Sequence, residues 1–339
     1  MGSLYQAAYY EKKANSKVRC QLCPHNCLIS PGETGICLVR KNNKGTLYAE
    51  NYGMLSANHF DPIEKKPLYH FHPGKGILSI GTYGCNLKCE FCQNSGISQT
   101  GIQYPGLFKQ TKPQEIVDKA LEITGNIGIA YTYNEPIIWF EYVKDVSKIA
   151  KKASLKNVMV SNGYINAIPR KEIIELTDAF NIDLKAFTKD FYKNHTSSFI
   201  EPVKASIKDI YKAGKHLEIT NLIIPTLNDD PVIFEKMIEW IARETSEETV
   251  LHLSRYFPHF KVSLPPTEIE KLSEFYQIAK KYLKYVYLGN VANPSEGNNT
   301  FCPECNSEVI VRSGYRTWTS GLDSNGKCKK CGTKIIDYM

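Results

Sequence analysis

The sequence predicts an α/β fold, a partial (β/α)6-type TIM barrel carried between two four-cysteine modules. Three observations lead there. From Ile77 onward strand-like and helical segments alternate, eleven cysteines fall into three compact sets, and polar residues recur where the strand-like segments end. Such alternation builds a parallel sheet with helices outside it. The 339 residues, 42% of them hydrophobic, suffice for one enzyme-sized domain plus accessories and a sizeable core. The expected divisions are 1–74, an N-terminal four-cysteine metal-binding module and linker; 75–297, the partial barrel; and 298–339, a C-terminal zinc-ribbon-like module.

The elements follow in chain order. RCQLCPHNCLISPGETGICLVR carries Cys20, Cys23, Cys27 and Cys37, and its PGETG turn can return Cys37 to the other three. Zinc and an iron–sulfur cluster both accept four cysteines, so both remain open at this site. His25 reads as a bystander. In DPIEKKPLYHFHPG, Asp61–Gly74, His70 and His72 share a side if the segment is extended, but an ordered linker over the barrel mouth is the better reading. GILSIGTYG then reads as a buried strand ending in glycine, with Cys85, Cys89 and Cys92 on the loop behind it. Three thiolates do not close a four-coordinate site, and an open metal position is where chemistry belongs. In parallel barrels the catalytic end is the C-terminal end of the strands.

Six more strand candidates follow: NIGIAYTY, NVMVSNGY, FNIDLKAF, HLEITNLIIPTLND, TVLHLSRYFP and VYLGNV, separated by segments of helical spacing. Asn134-Glu135-Pro136 ends the first of these and also reads as a helix start, with Asn134 as cap and Pro136 in the first turn. Ser161 and Asn162 end the next. Asp183 and Lys185 end the third and point to one side of it, because a strand alternates faces; an internal salt bridge is the plain alternative. Arg255 and His259 lie after the fifth, and Gly289 and Asn290 after the last. The chain closes with Cys302, Cys305, Cys328 and Cys331 in C-P-E-C and C-K-K-C-G knuckles, a set that suits structural zinc better than a rubredoxin-type iron.

Charge and hydropathy exclude other classes. The net charge of +7 is spread thinly, and no cluster of basic residues with stacking aromatics suggests nucleic acid. No run reaches the length of a membrane span, and the start lacks the apolar core of a signal peptide. The expectation is a cytoplasmic protein, where close cysteine pairs mean metal rather than disulfides.

Cys85, Cys89, Phe91 and Cys92, as C-x3-C-x-aromatic-C, resemble the signature of the radical S-adenosylmethionine (radical SAM) enzymes. The resemblance implies a barrel of the radical SAM type, a [4Fe-4S] cluster held by the three cysteines, and S-adenosylmethionine (SAM) on its open iron. Asn134-Glu135-Pro136 partly resembles the element that receives the SAM amino group, with Tyr133 and Asn134 in place of two glycines. Ser161-Asn162-Gly163, and Asp183 with Lys185, resemble elements of the glycyl-radical activating enzymes; His259 resembles a histidine those enzymes place near SAM; Gly289 and Asn290 resemble the turn beside the adenine. With CQLCPHNC…GETGICLVR and the C-terminal ribbon, the chain is similar to the radical SAM component of the AmmeMemoRadiSam system, pyruvate formate-lyase activating enzyme-like.

That resemblance implies a flavodoxin- or ferredoxin-type electron donor and association with Memo-type and AMMECR-type proteins. The function it implies is reductive SAM cleavage to a 5′-deoxyadenosyl radical, followed by hydrogen abstraction from a partner protein. The alternatives are modification of a small molecule or other macromolecule, and a zinc-dependent binding protein with a degenerate cluster motif.

Overall fold

The computed structural model describes residues 5–101, 109–292, 294 and 296–339. An eight-stranded sheet forms its centre: β1 (Ala57–Pro62), β2 (Gly76–Gly81), β3 (Asn126–Tyr131), β4 (Lys156–Ser161), β5 (Ala179–Asp183), β6 (His216–Ile223), β7 (Val250–Arg255) and β8 (Val286–Gly289). Their spatial order follows the sequence, with β1 and β8 at the two edges. All neighbours from β2 to β8 run parallel. These seven are the strands expected from the sequence. The eighth, β1, pairs antiparallel with β2 from Ala57↔Gly81 to Pro62↔Gly76 and lies inside the segment assigned to the N-terminal module and linker.

Helices α1 (Pro113–Glu122), α2 (Phe140–Lys152), α3 (Ala167–Leu176), α4 (Lys189–Thr196), α5 (Ile200–Lys212), α6 (Pro231–Glu244) and α7 (Ile269–Lys280) connect the parallel strands. Their apolar stripes cover the outer face, where Leu78, Ile80, Ile129, Met159, Phe180, Ile219 and Leu253 join one core. Phe234 of α6 and Phe275 of α7 stack at 4.2 Å between ring centres. No helix among the described residues is long and apolar enough to cross a membrane.

The inner face is polar toward the C-terminal ends of the strands and apolar toward their starts. Ile77, Ala130, Val158 and Ala179 meet Ile63, Leu68 and Phe71 there. The segment Asp61–Gly74 therefore does not lie over the mouth. It crosses the opposite end of the sheet, where the Pro67 carbonyl accepts from Asn181 Nδ2 at 2.7 Å and the Ile63 amide bonds the Lys75 carbonyl at 2.9 Å. Its apolar residues seal that end, and its histidines have partners: His70 Nε2 meets Tyr287 Oη at 2.6 Å and His72 Nδ1 meets the Met339 carbonyl oxygen at 2.6 Å.

Glu218, fully buried on β6, organises the seal. Its carboxylate accepts the amides of Tyr69 (2.9 Å) and His70 (2.8 Å) and faces His216 Nε2 (2.9 Å) and His252 Nε2 (2.6 Å). Arg312, from the C-terminal region, donates to the Tyr69 carbonyl at 3.0 Å and packs over the Tyr69 ring. Burial alone would raise Glu218, yet the bonds from His216 and His252 outweigh it and hold the carboxyl well below the usual range. Its stabilisation is thus present above the ordinary carboxylate range and lost as pH falls through the depressed value. Glu218→Ala leaves buried donors without an acceptor and should cost about 3–5 kcal/mol in urea unfolding. A loss below about 1 kcal/mol would mean that the seal does not depend on this carboxylate.

Candidate active site

At the C-terminal ends of the parallel strands lies a cavity of about 410 Å³. The turn after β2 delivers the cysteine loop to its rim, and Cys85, Cys89 and Cys92 all line it. The loop is tied down by polar contacts. Leu87 donates its amide to Cys85 Sγ at 3.4 Å, Cys92 Sγ sits 3.0 Å from Ser98 Oγ, and Asn86 Nδ2 donates to the Tyr164 carbonyl at 2.8 Å. Burial, reinforced by the charge of Glu135, pushes the Cys85 thiol well up, and burial pushes Cys89 up to about 12. Such thiols ionise when a metal takes the proton's place.

Seven of the eight residues expected around a cofactor share this cavity: Asn134, Glu135, Ser161, Asn162, Asp183, Lys185 and Asn290. Glu135 follows β3 and is buried. One carboxylate oxygen accepts from the Ile137 amide (2.9 Å) and Ser161 Oγ (2.8 Å), the other from the Asn162 amide (2.8 Å). Burial raises Glu135 to about 7 in spite of these bonds. Pro136 does open a helical turn, but the capping side chain is that of Glu135 rather than Asn134. Asn134 instead accepts the Thr82 amide at 3.1 Å and donates to the Gly84 carbonyl at 2.9 Å, so it braces the cysteine loop.

Asn162 reaches the same loop from β4, with Nδ2 donating to Asn86 Oδ1 at 2.9 Å. Asp183 and Lys185 form the same-side pair, with Lys185 Nζ 3.1 Å from the carboxylate. Burial by itself would lower Lys185, but Asp183 and next Cys89 hold its ammonium well above the ordinary value. It stays charged beside the cysteines. Asn290, at φ 59°, donates to the Arg255 carbonyl at 3.1 Å.

His259 is not brought into the cavity. It is exposed and sits on a tight turn in which its amide bonds the Val262 carbonyl at 3.1 Å. Six further residues line the cavity without having been expected there from the sequence: Lys65, Lys66, Thr132, Tyr133, Thr220 and Ser254. Thr220 was marked by the alternation of HLEITNLI, in which His216, Glu218, Thr220 and Leu222 share the inner face. Lys66 carried no such signal: it reaches inside from the sealing segment, pairs with Asp61 at 2.7 Å and lies 4.6 Å from the Tyr133 ring centre. At the C-terminus, Cys302, Cys305, Cys328 and Cys331 bring their sulfurs within 4.8 Å of one another.

The family profile described as the radical SAM superfamily matches residues 79–241, the stretch that contains the cysteine loop, Glu135 and the Asp183–Lys185 pair. This chain belongs to the radical SAM superfamily. Membership makes it one of a superfamily of enzymes and implies a [4Fe-4S] cluster and SAM. The chain is 42% identical to an uncharacterised protein of Methanocaldococcus jannaschii, over 97% of this chain and 98% of that one. It is 25% identical to the pyruvate formate-lyase-activating enzyme of Clostridium pasteurianum, over 52% of this chain and 74% of that one. Among solved structures, SuiB of Streptococcus suis bound to S-adenosylmethionine shares the fold with a TM-score of 0.50 at 11% identity, over 67% of this chain and 53% of that one.

The residues fit the implied group. Three thiols line a cavity that also holds a buried carboxylate and an ammonium, so Cys85, Cys89 and Cys92 would hold a cubane cluster and leave one iron without a protein ligand for SAM. Because Glu135 sits at about 7, its folded value is raised. The stability it contributes falls as pH rises from about 4.5 toward about 7 and levels off above that. Gln does not titrate, so the unfolding free energy of Glu135→Gln minus that of the parent should rise between about pH 4.5 and about pH 7. A difference that stays flat across that window would mean that Glu135 is ionised throughout.

Proposed function

We propose that this radical SAM enzyme is activase-like, taking a hydrogen atom from a segment of a partner protein presented at the cavity mouth. The observation that carries the reading is the meeting of Cys85, Cys89 and Cys92 with Glu135, Asp183 and Lys185 in one cavity. The cluster and SAM together supply a 5′-deoxyadenosyl radical when reduced, and the chain's own residues position and protect that chemistry.

Glu135 receives the SAM ammonium. A carboxylate poised at about 7 gives up its proton readily when a cation arrives, because an opposite charge at close range favours the ionised form. Lys185 faces the SAM carboxylate and is kept charged by Asp183. Asn290, on the turn after β8, borders the adenine end, where Gly289 keeps the backbone close to Ser254. The buried floor beneath, built by Lys66, Asp61 and Tyr133, excludes bulk water.

A protein substrate is supported by two points. Relatives are named as activating enzymes of pyruvate formate-lyase and, putatively by name, of glycyl-radical enzymes. The cavity volume of about 410 Å³ is also near the low end for a single drug-sized ligand. With SAM in place, a slender peptide segment fits the remaining space better than a second bulky molecule. Reduced flavodoxin or ferredoxin is the proposed donor class, and Memo-type and AMMECR-type proteins are the first partners to test.

Cys89→Ala should abolish the SAM-sensitive cluster signal in electron paramagnetic resonance and reductive SAM cleavage together; cleavage that persists in the variant defeats the assignment. For the substrate class, the enzyme is incubated with a perdeuterated candidate partner protein. Deuterium in 5′-deoxyadenosine supports the activase reading, and 5′-deoxyadenosine that forms without deuterium overturns it for that partner.

A further inference from the structure

Two lysines that line the cavity share one carboxylate. Lys65 and Lys66 follow β1 at the edge of the sheet. Lys65 Nζ lies 2.9 Å from Asp61 Oδ1, and Lys66 Nζ lies 2.7 Å from Asp61 Oδ2. Tyr133 Oη donates to that second oxygen as well. Elsewhere in the cavity Asp183 and Lys185 are matched one to one. Beside β1 the pairing is two ammoniums to one carboxylate, which leaves a local excess of a single positive charge.

Lys66 is the more telling of the two. It is 1% exposed, whereas Lys65 reaches solvent. An ammonium carries three N–H donors. Among the described residues that of Lys66 has one oxygen acceptor, Asp61, and beyond it the Tyr133 ring at 4.6 Å. Burial pulls Lys66 below the ordinary lysine value against the pull of Asp61, and Lys65 adds repulsion. Asp61 is fully engaged already: burial would raise it, but bonds from Lys66, Tyr133 and Lys65 hold it well below the usual carboxylate range. A buried cation with donors to spare and too little counter-charge favours an anionic oxygen in the space it faces.

Tyr133 marks the same place by its backbone. Its φ of 72° lies in the left-handed region, where a bulky residue is strained. Such strain persists where the surroundings over-determine it, and it gathers at ligand sites. The ring lies along the inner face of β2, where a β-carbon on Gly81 would stand 3.0 Å from it. Its hydroxyl ends on Asp61, so the aromatic wall beside Lys66 is fixed at both ends.

We infer that Lys66 and Lys65, beside Tyr133, form a subsite that takes a carboxylate of the substrate. One carboxylate matches the single excess charge, which a phosphate dianion would exceed. The subsite shares its cavity with Cys85, Cys89 and Cys92. The inference rests on the proposed function for placing a substrate there, and it adds that the partner segment presents an acidic side chain in the cavity from which the hydrogen is taken. No bond is made or broken at the subsite.

The test uses the full chain, reconstituted anaerobically with iron and sulfide and saturated with SAM. It is titrated calorimetrically with N-acetylated, C-amidated glycyl-glutamyl-glycine and its glutamine counterpart, and with propionate and propionamide. The parent should bind the glutamate peptide at least about tenfold more tightly than the glutamine peptide. Lys66→Met should remove most of that preference. Lys65→Met, where water screens the charge, should reduce it about two- to threefold. A preference that survives Lys66→Met unchanged overturns the subsite; if that variant fails to fold, one unchanged by Lys65→Met does the same. A parent that distinguishes neither pair of probes, while its cluster signal still responds to SAM, overturns the subsite and leaves the proposed function standing. A parent that distinguishes only propionate from propionamide, through Lys66, keeps the subsite, assigns the carboxylate to a small molecule and refutes the protein substrate instead.

Discussion

The active site depends on one buried carboxylate. Glu135 binds the amides of Ile137 and Asn162 and the hydroxyl of Ser161. Strands that end inside a protein leave backbone donors that must find acceptors, and Glu135 serves the end of β4 as well as the turn following β3. From Asn162 the chain of bonds continues to Asn86 in the cysteine loop, and from Asn86 to the Tyr164 carbonyl and to His25 of the N-terminal region. A cavity-lining group thereby fixes the relative positions of two strand ends and the cysteine loop. Burial of an ionisable group is costly, and its value near 7 shows that three donors offset that cost only in part. A cation in the cavity would offset more, so the network is most stable when the cavity holds one.

The two ends of the sheet solve opposite problems. At the starts of the strands, Glu218 draws in Tyr69, His70, His216 and His252, and the apolar side chains of the sealing segment fill the space between. This leaves the other end open, with short polar side chains such as Thr132, Thr220 and Ser254 lining the cavity. The alternation of strand faces makes the arrangement economical: the same strands that present Leu or Ile to the helices present polar groups inward. On β5, Phe180 and Ile182 pack outward while Asn181 and Asp183 point in.

How far this was legible in the sequence depends on the range of each signal. The seven parallel strands announce themselves through local apolar runs, and the Asp183–Lys185 side follows from a period of two. The cysteine triplet and its open position follow from spacing alone. Strand β1 was missed because ANHFDP has no apolar alternation: Asn58 and His59 stand beside the exposed Phe60, and the strand exists through its pairing with β2. The Asp61–Gly74 segment was set at the wrong end because nothing within it says which end of a barrel it crosses; Asn181 and Glu218, more than a hundred residues away, decide that. His259 was expected in the cavity through its resemblance to a histidine of the activating enzymes, but it sits exposed on a turn outside it. The alternation of HLEITNLI places Glu218 on the inner face, but its role as the organiser of the seal comes from distant histidines and amides.

The N-terminal cysteines raise a problem of charge that the fold answers. Arg40 is buried and forms a two-pronged ion pair with Glu141 of α2, at 2.9 and 2.8 Å. A buried ion pair is weak evidence for stability, because desolvation offsets most of the attraction. Here the arginine has further neighbours. Burial would lower Arg40, but Glu141 first, and then Cys20 and Cys37, raise it. The guanidinium thus stands between a helix of the central fold and the thiols of the N-terminal region. It places positive charge beside Cys20 and Cys37, and its partner Glu141 also accepts the Ala8 amide at 2.7 Å. An apolar group of similar length would pack there without the desolvation cost, but it would leave the buried Glu141 carboxylate without its cation. The ion pair ties the N-terminal region to α2 of the central fold, while Gly84 beside the Cys37 carbonyl and His25 on Asn86 bring the same region against the active-site loop.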